Sequence, residues 1–174
     1  MTRRIKILVY LASLLCAATA AALSAVSDPL QGLNKHGQTK LSVLFWDIYR
    51  AELYTAAPTY QADAFPQALK LHYLRDIDAD ELLEHTEDEW QKLGVSAEQY
   101  ASWLPELQTI WPDIKRGDEL TLIVTSDGLG QFYFNNQAIG QLDDPLFGRQ
   151  FLRIWLDPNS SYPKLRQQLI GQYQ

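Results

Sequence analysis

From Gly117 to Gly140 the chain reads GDELTLIVTSDGLGQFYFNNQAIG, and its apolar residues recur at every second position. Leu120, Leu122 and Val124 alternate with Glu119, Thr121, Ile123 and Thr125, the period that turns one face of a strand toward a core. Asp127-Gly128 supplies a turn, because glycine accepts a positive φ at no steric cost. A second run places Phe132 and Phe134 on one face and Gln131, Tyr133 and Asn135 on the other. Asn135-Asn136 predicts another tight turn, and 138–142 a third short strand. The pattern is that of an antiparallel meander at the centre of a larger sheet.

Upstream, LSVLFWDIYRAELYT (41–55) is apolar on both faces and rich in aromatic and branched residues, which favours strand over helix. It predicts two strands, 40–46 and 48–55, joined by a bend or bulge. Pro58 and Pro66 bracket a loop, after which Leu69, Leu71 and Tyr73 alternate with Lys70 and His72 in a third strand over 67–74. Asp78 with Glu81 has the spacing of a capping box, and Leu82, Leu83, Trp90 and Leu93 form the inward stripe of a helix ended by Gly94. Asp80, Glu81, Glu84, Glu87, Asp88 and Glu89 on that helix read as a solvated face rather than a cation site. Ser96 and Gln99 open a second helix, carrying Tyr100, Trp103, Leu107, Ile110 and Trp111, which Pro105 is expected to kink or split. Asp144-Pro145 opens a third, strongly amphipathic through Phe147, Phe151, Ile154 and Trp155. A short helix over 163–170 turns Leu165 and Leu169 inward. Strands near both ends of the domain with helices between and after them give an α+β class, an antiparallel sheet covered on one face by helices.

Residues 1–27 contain no acid. Arg3, Arg4 and Lys6 precede an apolar run from Ile7 to Leu15, followed by small residues, the order of a secretory signal peptide over 1–22 with cleavage within 20–27. Cleavage leaves one domain, 28–174, in the periplasm or outside the cell and with no stable membrane span. It also changes the charge from −6 to −9, since three basic residues and no acids leave. An acidic domain without a basic cluster excludes nucleic acid as a partner. The chain has a single cysteine, Cys16, which leaves with the leader and takes disulfides, thiol catalysis and thiolate metal sites with it.

His36, His72 and His85 lie at no metal-ligand spacing, and no phosphate loop, nucleophile elbow or His-Glu-x-x-His helix is present, so neither cofactor nor metal is expected. What remains is polar groups in aromatic surroundings. Tyr49, Arg50, Tyr54, Tyr73 and Tyr133 fall on strands, where several would face the helical layer. A pocket of aromatics with a few phenol and guanidinium donors suits an apolar molecule bearing one oxyanion. The competing reading is structural: tyrosines fill the core with their hydroxyls on backbone partners, and Arg50 pairs with Glu52 on the same strand face.

The segments FWDIYRAELYT (45–55), LHYLRDIDADEL (71–82), GDELTLIV followed by GQFYFNNQAIG, and FLRIWLDPNSSYPKLRQQLIG (151–171) resemble the bacterial branch of the chalcone isomerase-like proteins. The resemblance implies the chalcone isomerase fold, an open-faced β-sandwich in which helices cover a large antiparallel sheet. The plant enzymes of this family close a chalcone to a flavanone with an arginine just before the first core strand plus threonine and tyrosine groups. Related plastid proteins lack that activity and bind fatty acids. Here the arginine region reads Gly37-Gln38-Thr39-Lys40, Tyr49 stands at the threonine position, and Tyr100 is the nearest counterpart of a helical tyrosine.

Three functions follow as expectations. The first is a non-catalytic, exported binding protein for an apolar small molecule such as a fatty acid, with Tyr49, Arg50, Tyr54, Tyr73, Tyr100 and Tyr133 as ligand-binding candidates. The second is an isomerase or intramolecular lyase acting on a phenolic or enone substrate through Tyr49, Lys40 or Arg50. The third is a ligand-free interaction protein with a filled core and an exposed apolar patch.

Overall fold

A computed structural model describes residues 28–172; the expected signal segment and its cleavage site lie outside them. The sheet has six strands, β1 (Asn34–Val43), β2 (Trp46–Thr55), β3 (Gln67–Tyr73), β4 (Glu119–Val124), β5 (Gly130–Phe134) and β6 (Gln137–Leu142), antiparallel and in sequence order. Helices α1 (Ala79–Lys92) and α2 (Ala97–Ile110) are inserted between β3 and β4, and α3 (Phe147–Leu156) and α4 (Pro163–Leu169) follow β6. The predicted α+β class and one-sided helical layer are what the structure shows.

One face of the sheet makes the core. Ala51 and Leu53 of β2, Leu69 and Leu71 of β3, Leu120, Leu122 and Val124 of β4, and Phe132 of β5 are all buried. They meet Trp90 of α1, Trp103 and Leu107 of α2, and Phe147 and Phe151 of α3 in one continuous cluster. Burying a large apolar side chain is worth about 1.5–3 kcal/mol, so this interface dominates folding. The opposite face stays polar at its centre, where Lys70 and His72 both approach Glu119, at 2.9 and 3.6 Å.

The meander turns form as expected. Asn135 and Asn136 take φ of 49° and 65°, and Gly128 takes 92° where a Cβ would also strike the Pro145 carbonyl. At the edge of the sheet Gly37 has a different role. A Cβ there would lie 2.1 Å from the Leu169 carbonyl oxygen, so glycine is what lets α4 lie against β1.

Several expectations need correction. The segment expected as two strands with a bend is a hairpin, and its first strand starts earlier, at Asn34. Its tip leaves Leu44, Phe45 and Trp46 exposed at 88, 98 and 70%, with Leu44 at φ 55°. Asp78 precedes α1 but its side chain caps nothing. The Ala79 N–H donates instead to Asp113 Oδ1 at 3.0 Å, while Glu81 pairs with Arg75. Ser96 does cap α2, accepting from the Gln99 N–H. Pro105 does not split that helix, which runs on to Ile110. Asp144 does not cap α3 as the residue before it; α3 begins at Phe147, and the Asp144 carboxylate accepts from the Leu146 N–H and from Trp103 Nε1. Glu89, expected on a solvated face, is buried.

Candidate functional site

The aromatic layer is dense at one end and hollow at the other. Trp90, Trp103, Phe147 and Phe151 pack ring to ring with centroids 5.3–6.2 Å apart. Beside them a cavity of about 230 Å³ opens between the core face of β2–β5 and the helices. Its walls are Leu69, Leu71, Leu120, Leu122, Phe132 and Ile154, and its exposed or partly exposed lining residues, Val43, Arg75, Glu81 and His85, mark the mouth.

Two phenols stand in this cavity because of strand register. Tyr49 shares its parity with Ala51 and Leu53, so all three point to the helices. Tyr49 pairs across the ladder with Tyr73, and their rings meet edge to face with centroids 6.0 Å apart. From α3, Trp155 Nε1 donates to Tyr49 Oη at 2.8 Å. That bond occupies one lone pair of the phenol and leaves its proton free to donate. Burial pushes both phenols well above the ordinary tyrosine range.

Two further residues that line the cavity each carry one fully buried polar atom without a partner among the described residues. Glu89 of α1 is 7% exposed; its Oε1 accepts from Lys92 Nζ at 2.8 Å, and its Oε2 accepts nothing. Trp111, just after α2, is 5% exposed and its Nε1 donates to nothing. Tyr162, half-buried, joins the same wall, and its phenol is raised by burial first and by the Glu89 charge second. At the mouth Arg75 reaches Glu81 at 3.3 Å, and His85 approaches the same carboxylate at 3.7 Å. The lining therefore combines apolar side chains with phenols, keeps the Glu89 carboxylate buried, and holds Arg75 and His85 at the rim.

Of the residues proposed from the sequence, Tyr49 and Tyr73 line the cavity and the others do not. Lys40 is exposed and bridges to Asp47 at 2.8 Å across the hairpin. Arg50 is exposed on the outer face, and the expected Arg50–Glu52 pair does not form, because Glu52 is taken by Lys35 and by the Tyr54 hydroxyl. Tyr54 is thereby committed outside the cavity. Tyr100 stacks on Trp90 with the rings 15° from parallel, in the packed half. Tyr133 pairs with Thr121 at an outward position of β5. Among the described residues no cluster of three or more histidine, cysteine or acidic side chains could hold a metal ion.

A chalcone isomerase-like family profile matches residues 20–171. The chain belongs to the chalcone isomerase-like family. An uncharacterized protein of Haemophilus influenzae is 32% identical over 124 residues, a match covering 71% of this chain and 61% of that protein. The chain thus spans under two thirds of that relative's length. Among solved structures, the fatty-acid binding protein of Arabidopsis thaliana superposes with a TM-score of 0.60 at 13% identity, covering 80% of this chain and 87% of that one. At that identity the likeness is one of fold.

In this chalcone isomerase-like chain, sequence reasoning missed Arg75, Glu89, Trp111 and Tyr162 as cavity residues and took Trp155 only as core. A signal existed for Glu89. It lies seven residues after Leu82, two helical turns along the same stripe, so its position in an acidic run concealed an inward direction. Trp111 falls on the helical spacing of Trp103 and Leu107, which gives a direction but no sign of a hollow, and Tyr162 lies just before α4, where no period announces one.

Proposed function

We propose that this is an exported, non-catalytic member of its family that holds an apolar small molecule between its sheet and its helices. The observation that carries the reading is the cavity itself, walled mainly by aliphatic and aromatic side chains beside the ring-to-ring packing of Trp90, Trp103, Phe147 and Phe151. Interiors rarely leave such space without use. An apolar cavity of about 150 Å³ already takes benzene, so one of about 230 Å³ accepts a larger ring system or an alkyl chain whose far end leaves by the mouth. The fold shared with a plant fatty-acid binding protein supports the binding class.

The position of Lys40 and Arg50 outside the cavity favours binding over isomerisation, since neither can meet an oxyanion within it. The basic, apolar, small-residue order of the first 27 residues supports export. Protein purified from the periplasm should carry a non-covalent adduct in native mass spectrometry, released by organic extraction. A bare mass in every preparation, with no small molecule taken up on incubation with lipid extract, would overturn the reading. N-terminal sequencing of the same material should begin within residues 20–27; an intact Met1 in a membrane pellet would overturn export.

A further inference from the structure

We infer that the tip of the β1–β2 hairpin docks on the surface of a lipid bilayer and sets the cavity mouth against it. The docking stands on the tip alone; only the mouth's part in passing a ligand rests on the binding reading above. Val43, Leu44, Phe45 and Trp46 are consecutive and all exposed, from 49% at Val43 to 98% at Phe45. Among the described residues the other exposed large apolar side chain is Leu146. It precedes Phe147, which packs on Gly130 at the far end of the sheet, where Gly130 pairs with Val124 and Gln67 with Thr55. The exposed apolar surface is therefore gathered at one turn rather than scattered. Leu44 also takes φ 55°, a conformation less strained for glycine or asparagine, so the turn gives up stability to present a leucine.

Strand register turns the tip toward the mouth. Lys40 pairs with Arg50 and Leu41 with Tyr49, but the ladder then shifts, so that Ser42 meets Asp47 and Val43 meets Trp46. The bulge brings Trp46 to the inward side with Val43, where its parity alone would send it outward with Arg50. Val43 and the bulged Ile48 both line the cavity.

Size and charge select the occupant. Large aromatic side chains bury roughly 150–250 Å² each, whereas a stable protein interface takes about 800 Å² from each partner. The tip is too small to hold a second copy, but a bilayer needs no complementary shape, and indoles settle at its interface. Asp47, the acid beside the tip, is already held by Lys40 and Ser42, so no unmatched negative charge has to enter the headgroups. Behind the mouth the surface is acidic. Glu84 and Asp88 are exposed on α1, the helix that carries Glu81 and His85 of the rim. That charge disfavours an anionic surface, so the bilayer that fits is a zwitterionic one held by apolar contact.

The test mixes protein purified from the periplasm with phosphatidylcholine vesicles, reading the bound fraction by sedimentation and the contact by bromine quenching. Bromine on the acyl chains quenches at near contact, and Trp46 is the exposed indole, with Trp90, Trp103, Trp111 and Trp155 only 0–6% exposed. The native chain should sediment with the vesicles and lose fluorescence to brominated lipid. It should bind no more weakly at high salt, and no more tightly when anionic lipid is added. Phe45→Ser combined with Trp46→Ser should lower the partition coefficient at least about tenfold, while Leu146→Ser leaves it unchanged. Trp46→Phe should keep the binding and lose the quenching. Quenching in the native chain decides the matter even where a variant fails to fold. Absence of quenching, or binding that only anionic lipid or low salt sustains, would overturn the inference. So would a lipid-free dimer that the double variant abolishes, which would give the tip to a second copy. A protein that carries an adduct but ignores vesicles overturns the docking and leaves the binding reading standing; a bare protein that docks does the reverse.

Discussion

Trp155 Nε1 donates a hydrogen bond of 2.8 Å to the Tyr49 hydroxyl across the cavity wall, joining α3 to β2 through residues 106 apart in the chain. The bond fixes the orientation of both aromatic rings in a place where neither has close-packed neighbours on every side. It makes the cavity a structural feature with its own supports, and its energetics can be measured directly.

Tyr49→Phe removes the acceptor and leaves a buried indole N–H unpaired. The expected loss is about 1–3 kcal/mol, the usual cost of a buried donor without a partner. Trp155→Ala removes both the bond and the indole, with an expected loss of about 3–5 kcal/mol. Urea unfolding at constant m-value checks both. An unchanged midpoint for Tyr49→Phe would mean that water or ligand replaces the phenol oxygen.

Alkaline pH should unfold the protein through Tyr49 and Tyr73. Their folded-state values lie well above the ordinary 10.0, with desolvation the leading cause in each. The neutral phenol is therefore favoured in the folded state, so its contribution is complete below about pH 10 and is lost progressively as pH rises above that value. Each phenol should lower stability by about 1.4 kcal/mol per pH unit in that range. Unfolding midpoints should hold up to about pH 10 and fall steeply above it, and less steeply in Tyr73→Phe. Identical slopes in the two proteins would place Tyr73 in contact with solvent.

Gly37→Ala should loosen α4 from β1. The added methyl meets backbone rather than a movable side chain, so an overpacking cost of about 1–3 kcal/mol is expected. Hydrogen exchange should show faster exchange over residues 163–170 than in the native chain, while β4 and β5 keep their protection. Unchanged exchange in the helix would show that the β1 edge moves instead.

The purified protein should cyclise a 2′-hydroxychalcone no faster than buffer does. The reaction needs its developing oxyanion held by fixed donors, and losing one such donor typically costs about 10²–10³ in rate. Lys40 pairs with Asp47 outside the cavity, and Arg50 lies on the outer face. Turnover well above buffer that disappears in Tyr49→Phe would assign catalysis to the cavity and make the isomerase reading the correct one.

The exposed hairpin tip is the expectation's plainest failure of direction. Phe45 and Trp46 have the composition of a core strand, yet the turn at Leu44 carries them to 98 and 70% exposure. Composition favours a strand at such residues but does not say where the sheet's neighbour ends, and beyond that point no helix among the described residues covers them.

The sequence by itself determined the element order, the antiparallel meander, the Asn135-Asn136 turn and the α+β layering. All of these rest on periods of two and 3.6 residues or on local turn chemistry, which act over a few positions. Even the inward direction of Tyr49 was legible, from its parity with Ala51 and Leu53, and the same parity sends Arg50, Glu52 and Tyr54 outward. Only the tertiary structure decided that Glu89 is buried beside Lys92, that the Trp111 indole N–H has no partner among the described residues, and that Trp155 reaches Tyr49. The hollow also belongs to this second class. A cavity is the volume left after side chains from several strands and helices have packed, and no local pattern sums volumes brought together from distant parts of the chain.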